Sequence, residues 1–266
     1  MDKIFIKIGG SAITDINKEN TPKKNEIKRL LNEIKHSINK KKILIGHGSG
    51  SFAHVPAHKY KINLGLVEKN SLYGTSITQN AAANLHRIFI ECAVEEQLFP
   101  FSFSPSTGAI AESSKIITWD VSVIQKAFDL GFIPVTYGDV ILDKKQGVCI
   151  ASTEEIFRFL SCKIKPNKII IGTDVDGIFD SNPKLNKDAK LIEVVNSKNI
   201  EEVLGYSGSS TKIDVTGGMK SKVSYLYNIS KETGAICQII NLQKEDRLKN
   251  VLLGENVLGT IINANK

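Results

Sequence analysis

The chain has few cysteines, very few arginines, one tryptophan and no long apolar run. No stretch of about 18 apolar residues occurs, so a membrane-spanning helix is excluded. The four cysteines, Cys92, Cys149, Cys162 and Cys237, stand far apart with no CxxC spacing. That excludes a zinc ribbon or a disulfide framework, and the apolar neighbours of each predict buried free thiols in a reducing compartment. Arginine supplies only four of the 35 basic residues, at positions 29, 87, 158 and 247. Arginine is the usual bidentate reader of phosphate and base edges. The net charge of +7 therefore reads as a solvated lysine surface rather than a nucleic-acid face, although it suits anionic ligands. The start, Met1-Asp2-Lys3, lacks a basic segment followed by an apolar one. A cytoplasmic protein is expected, with no secretory signal.

What is present alternates between two periods. Lys3–Ile8 alternates like a strand, and Lys42–Gly46 and Lys168–Gly172 read as buried strands. Ile27, Leu30, Leu31, Ile34 and Ile38 repeat with a helical period, predicting a helix over 24–41. Further helices are predicted over 77–98, 121–130, 154–161 and 219–231. Strands are predicted over 101–103, 132–137, 235–240 and 257–262, with a hairpin over 139–150 turning at 143–147. Such alternation predicts an α/β fold, a three-layer αβα sandwich around an open, mostly parallel sheet. The length of 266 residues admits one large domain or two lobes. Ligands of such sheets bind at the carboxyl ends of the strands.

The unusual residues fall at those ends. The first strand runs into Lys7-Ile8-Gly9-Gly10-Ser11, and another into His47-Gly48-Ser49-Gly50-Ser51-Phe52-Ala53-His54. Glycine lets backbone N–H groups converge on an anion, and a following helix adds the positive end of its dipole. Each turn alone could be an ordinary tight turn; together, one of them carrying Lys7, they point to phosphate. Neither is a GxxxxGK phosphate loop, and neither is GxGxxG with an acidic residue about 20 positions on, which disfavours a dinucleotide dehydrogenase. Tyr137-Gly138-Asp139-Val140 and Thr173-Asp174-Val175-Asp176-Gly177 follow further strands. Asp174 and Asp176 fit either local turn capping or the shell of a nucleotide and its magnesium; the spacing is not that of an EF-hand. Finally, Asp214-Val215-Thr216-Gly217-Gly218-Met219-Lys220-Ser221-Lys222 opens a helix with lysines in its first turns. Cations there oppose the helix dipole, a conflict that a docked phosphate would resolve.

Taken together, KIGGS, HGSGSFAH, YGDV, TDVDGIF and DVTGGMKSK resemble the signature turns of the amino acid kinase superfamily. Within it the pattern most resembles the isopentenyl phosphate kinases, and fosfomycin kinases share much of it. The resemblance spans nearly the whole chain. It implies an acceptor lobe over 1–165, an ATP lobe over 166–266, Mg²⁺-ATP as donor, isopentenyl phosphate as acceptor and a homodimer. It implies that Lys7 bridges the transferring phosphoryl and that Lys222 holds the ATP phosphates, with Ile8, Gly9, Gly10, Ser11, Gly50, Asp174 and Gly217 around the nucleotide. His54, Ser49 and Gly138 are implied at the acceptor phosphate, with Asp139 and Glu154 in support and no direct protein ligand to a metal. The acceptor pocket is expected between the helix after His54 and the helix over 77–98. A phosphate acceptor is already anionic near neutral pH, so transfer needs alignment and charge neutralisation rather than a general base.

Three departures from that pattern matter. The last position of the family's KxGGSxxTDK start is a lysine, and here it is Ile16, with Lys18 as the expected substitute. Ser49 and Ala53 replace glycines, and Glu154-Glu155 replaces an Asp-Asp pair. These changes leave open another phosphate, phosphonate or carboxylate acceptor, such as fosfomycin, or a non-catalytic nucleotide-binding role.

Overall fold

The computed structural model describes residues 1–183, 185–206 and 218–266. In chain order its strands are β1 (Asp2–Ile8), β2 (Lys41–His47), β3 (Pro100–Ser102), β4 (Ile110–Glu112), β5 (Lys115–Thr118), β6 (Ile133–Tyr137), β7 (Asp139–Asp143), β8 (Gly147–Ala151), β9 (Lys168–Thr173), β10 (Ile178–Phe179), β11 (Leu191–Ile192), β12 (Val194–Val195), β13 (Ile236–Asn241) and β14 (Thr260–Ile262). Its helices are α1 (Gly10–Ile13), α2 (Lys24–Lys35), α3 (Gly50–Lys59), α4 (Ser71–Glu95), α5 (Ser122–Asp129), α6 (Thr153–Ile164), α7 (Ile200–Tyr206), α8 (Gly218–Thr233) and α9 (Arg247–Leu253).

Among the described residues an eight-stranded sheet runs in the order β12-β14-β13-β9-β1-β2-β6-β3. Its pairs are parallel except β13 with β14. Alternation along each strand feeds two cores. Phe5, Leu44, Ile169, Ile171, Cys237 and Ile239 face one side, while Ile4, Ile6, Ile43, Ile45, Ile170 and Ile240 face the other. Both faces are covered by helices, which is why these strands are near-continuous apolar runs. The fold is thus the mostly parallel αβα sandwich expected from the sequence.

Local differences have local causes. The helix expected over 24–41 stops at Lys35, because residues 36–40 turn back into β2 through Ser37 N→Ile34 O at 2.9 Å and Lys40 N→Ser37 O at 3.2 Å. α4 starts at Ser71, ahead of the expected residue 77; Leu72 and Tyr73 in its first turn are exposed, which broke the apolar period. Gly74 lies against Tyr60, where a Cβ would stand 2.3 Å from the Tyr60 Cβ. The last strand is confined to 260–262. The expected hairpin exists, but as half of a four-stranded sheet, β5-β4-β7-β8. Its other half turns through Ser113 and Ser114, both at positive φ, and Asp143 accepts their N–H groups at 3.2 and 2.7 Å. Three of the four cysteines are buried; Cys162, expected buried, is exposed on the outer side of α6 with Sγ 3.6 Å from a Glu232 carboxylate oxygen. No helix of the described residues is long and apolar enough to cross a membrane.

Candidate active site

Register places the glycine turns side by side. Tyr137 pairs with His47, His47 with Ile8, and Ile8 with Gly172. The turns after β6, β2, β1 and β9 therefore open in a row at the carboxyl edge of the sheet. Backbone bonds tie them together: Gly138 N→His47 O at 3.0 Å, Gly48 N→Ile8 O at 3.0 Å and Gly9 N→Gly172 O at 3.2 Å.

Two of the glycines are required by contact. A Cβ on Gly10 would lie 2.4 Å from the Gly50 nitrogen, and one on Gly50 would lie 2.1 Å from Thr14 Oγ1. Gly50 also has φ +48, a left-handed conformation that disfavours side chains. Thr14 bridges the same contact, donating Oγ1–H to Gly10 O at 2.8 Å and accepting from Ser51 N at 3.1 Å. Ser49 Oγ donates to Gly138 O at 2.8 Å. The structure thus brings Gly9, Gly10, Ser11, Ser49, Gly50 and Gly138 together in adjoining turns.

Lys7 enters from below. On β1 it shares a face with Phe5, and α6 covers that face, with the Phe5 and Phe157 ring centroids 5.2 Å apart. Glu154 sits three residues before Phe157, one helical turn away, so it meets Lys7 in a buried ion pair. Burial alone would raise the Glu154 pKa, but Lys7 and Lys222 outweigh it and hold the carboxyl below its ordinary range. Glu154 is therefore an anion gathering the field of two lysines, one from β1 and one from α8. Its neighbour Glu155 points elsewhere. It accepts from Ile116 N at 2.7 Å and from Arg158 Nε at 2.8 Å, fixing α6 to β5. Ser152 caps α6 by accepting from Glu155 N at 3.2 Å.

His54 is exposed on α3, which already begins at Gly50. It is a helical residue, one turn into the element, and not a residue preceding the helix as the sequence suggested. Asp139 is buried and accepts from Val140 N at 2.8 Å and Ser106 N at 3.3 Å; burial raises its pKa. Asp174 is exposed at the end of β9, with Ile8 and Gly172 buried beside it. Gly217, with the rest of Asp214–Gly217, lies outside the described residues; α8 carrying Lys222 begins at Gly218.

The sequence reading missed two side chains. Arg247 of α9 pairs with Asp176, and its Nη1 donates to Leu258 O at 3.3 Å, bracing the loop after β9. Its signal was faint, one of only four arginines. The second is Lys23. Thr14 bridges Pro22 and Asp15 N donates to Thr21 O at 2.9 Å, closing the 15–21 loop at its base. Ile16 is 64% exposed and Lys18 is exposed on that loop; Lys23 is exposed as well, but its Nζ reaches back to Ser11 O at 3.4 Å.

Among the described residues no group of three His, Cys, Asp or Glu side chains is placed to hold a metal ion. The site combines a row of glycine turns and a Lys7–Glu154–Lys222 charge centre, with the His54 imidazole one turn along α3, an arrangement suited to aligning and neutralising phosphoryl groups.

The sequence pattern of the amino acid kinase family matches residues 2–241. The chain is 32% identical to an isopentenyl phosphate kinase of Methanothermobacter thermautotrophicus, over 97% of this chain and 98% of the relative. It is 32% identical to an isopentenyl phosphate kinase of Methanocaldococcus jannaschii, over 97% of each. A crystal structure of an isopentenyl phosphate kinase superposes with a TM-score of 0.84 at 29% identity, covering 98% of this chain and all of that one.

Proposed function

The chain belongs to the amino acid kinase family, and from that premise we propose that it phosphorylates isopentenyl phosphate to give isopentenyl diphosphate, with MgATP as the donor substrate. The observation that carries this reading is the full-length likeness to isopentenyl phosphate kinases from two organisms, at 32% identity each. The geometry supports it through what it offers: cations and amides for phosphates.

In this reading Lys7 bridges the transferring phosphoryl and Lys222 neutralises the nucleotide phosphates, with Glu154 orienting both ammonium groups. The amides of Gly10 and Gly50 line the phosphate track, whereas the Gly9 N–H is held by Gly172 O and Gly9 shapes the turn; Ile8, Ser11, Asp174 and Gly217 border the nucleotide. His54 donates to the acceptor phosphate beside Ser49 and Gly138, a suitable role for an imidazole, which has an N–H donor in either protonation state. Asp139 supports that turn from beneath. Mg²⁺ would arrive on ATP, held mainly by phosphate and water, which suits a site where the described residues offer no cluster of three His, Cys, Asp or Glu ligands. Residues 1–165 serve the acceptor and 166–266 the nucleotide, the enzyme works in the cytoplasm as a homodimer, and the acceptor's organic tail lies between α3 and α4.

A coupled assay of ADP release tests this against isopentenyl phosphate, dimethylallyl phosphate, fosfomycin, acetylglutamate and UMP. Turnover with the two isoprenoid phosphates is expected; turnover confined to another acceptor overturns it. Ile16 favours one second reading, a nucleotide-binding member without turnover, which would bind ATP yet release no ADP in the same assay.

A further inference from the structure

His47 ends β2 directly before the Gly48-Ser49-Gly50 turn, and its ring is buried. Its Nδ1 lies 3.2 Å from Gly48 O, its Nε2 lies 3.0 Å from His86 Nδ1 on α4, and His86 Nε2 lies 2.7 Å from Ser102 Oγ on β3. The protons in this chain are determined by elimination. A carbonyl only accepts, so His47 Nδ1 carries hydrogen. A neutral ring has one such hydrogen, so His47 Nε2 accepts and His86 Nδ1 donates. His86 Nε2 then accepts, and the Ser102 hydroxyl donates to it. Both rings must be neutral for this order to hold, and their surroundings favour that: Tyr137 stacks on His86 at 4.3 Å and Phe89 on His47 at 4.7 Å. Burial pulls His47 down to about 4, and burial with the neighbouring imidazole pulls His86 down to about 2.

The chain terminates on the carbonyl of the residue that opens the acceptor turn. His47 O is itself held by Gly138 N at 3.0 Å and Thr153 Oγ1 at 2.9 Å, and Gly48 N is held by Ile8 O. Both peptides flanking Gly48 are therefore fixed. In a trans peptide the carbonyl and the following N–H point opposite ways. We propose that His86 is a positioning residue: through a one-directional hydrogen-bond chain, Ser102 to His86 to His47 to Gly48, it turns the Gly48 carbonyl inward and aims the Ser49 N–H at the acceptor phosphate. This deepens the kinase reading above and rests on its placement of the acceptor at Ser49.

Two measurements test it. In the full-length protein, ¹⁵N–¹H correlation spectra of the imidazoles at pH 7 should show both His47 and His86 as neutral Nδ1–H tautomers, and titration with inorganic phosphate should shift the Ser49 amide. In steady-state kinetics, His86→Phe keeps a ring against Tyr137 but removes the donor to His47. It should raise the KM for isopentenyl phosphate about tenfold, with kcat and the KM for ATP within about twofold. His86→Asn, whose amide can still donate to His47, should recover most of that loss. An Nε2–H tautomer at His47, an unchanged acceptor KM in His86→Phe, or a Ser49 amide that responds to phosphate equally in wild type and His86→Phe would each overturn the proposal. If His86→Phe does not fold, the wild-type tautomers and His86→Asn still decide it. Failure of isopentenyl phosphate as substrate, with the Ser49 amide still moved by phosphate through the chain, sinks the acceptor reading and supports the chain.

Discussion

Lys7 and Glu154, 147 positions apart in sequence, meet as a buried ion pair beneath the glycine turns. One comes from a central strand and the other from the first turn of α6, so the pair joins the sheet to the helix that covers it. Glu154→Gln leaves the shape and removes the charge that Lys7 and Lys222 both face. Turnover should fall by about two orders of magnitude, with the midpoint of urea unfolding lowered, since stripping one partner from a buried pair costs about 3–5 kcal/mol. Parallel measurement of kcat and unfolding on the purified variant checks both; full activity would contradict the assigned role.

His54 stands on α3, one turn after the Gly48-Ser49-Gly50 segment, rather than in a loop. His54→Ala should raise the acceptor KM and lower kcat, together reducing kcat/KM about tenfold to a hundredfold, while the KM for ATP stays put. His54→Gln, which keeps an N–H donor without the imidazole ring, should fall between. Acceptor KM and turnover unchanged in His54→Ala would remove it from the site.

Gly50→Ala tests the backbone approach. Its Cβ would meet Thr14 Oγ1 at 2.1 Å and Gly10 O at 2.8 Å, in a left-handed conformation besides. The Gly10–Gly50 contact must open, so the two glycine turns separate. We expect a loss of a few kcal/mol in stability and a rise in the KM values of both substrates. Gly254→Ala, also at positive φ but with open space around it, serves as the strain-only control and should leave kinetics unchanged.

Much of this architecture is legible in the sequence. β1, β2, β6 and β9 are written as apolar runs because parallel strands are buried on both faces, and each glycine turn stands directly after one. What the sequence could not carry is pairing across distance. Glu154 and Glu155 look alike in the chain, yet one faces Lys7 and the other Arg158, a matter of which side of α6 meets β1. His47 and His86 gave no joint signal across 39 positions, because a buried polar contact has no period. The β4–β5 turn was hidden because serines at positive φ replace the usual Asn-Gly, their amides held by Asp143 from another strand.

The same buried imidazoles predict acid sensitivity. Burial holds the folded pKa of His47 at about 4 and that of His86 at about 2, against an ordinary histidine in the unfolded chain. The unfolded state therefore binds more protons below about pH 6.5, so stability is full above that pH and falls as pH drops toward 4. His47 alone accounts for about 3 kcal/mol of loss by pH 4. The groups facing the pair are Phe89, Ser102 and Tyr137, with Asp139 beyond Tyr137; the raised Asp139 pKa works in the opposite direction and offsets part of the loss. Urea midpoints at pH 7, 5.5 and 4.5 should fall steadily, and a flat profile would show that the rings are not buried neutral.

The most specific test concerns the missing lysine. Both lysines are exposed, but Lys18 rides on the 15–21 loop, whereas Lys23 stands just past the closed base of that loop with its ammonium at Ser11 O, in the same turn as Gly9 and Gly10. A cation acts on a phosphoryl group through proximity, and an exposed lysine far from the charge is screened within about 10 Å at 0.1 M salt. Lys23→Ala should therefore lower kcat about tenfold, and Lys18→Ala should leave it within about twofold. Ile16→Lys adds a cation at the position where the family pattern has one, and should raise kcat in the wild type and restore part of the loss in Lys23→Ala. Burst kinetics separating chemistry from product release would read the effect on the transfer step itself. If Lys18→Ala instead carries the larger loss, the loop reaches the phosphates by closing over them, and Lys23 is a structural tether to Ser11.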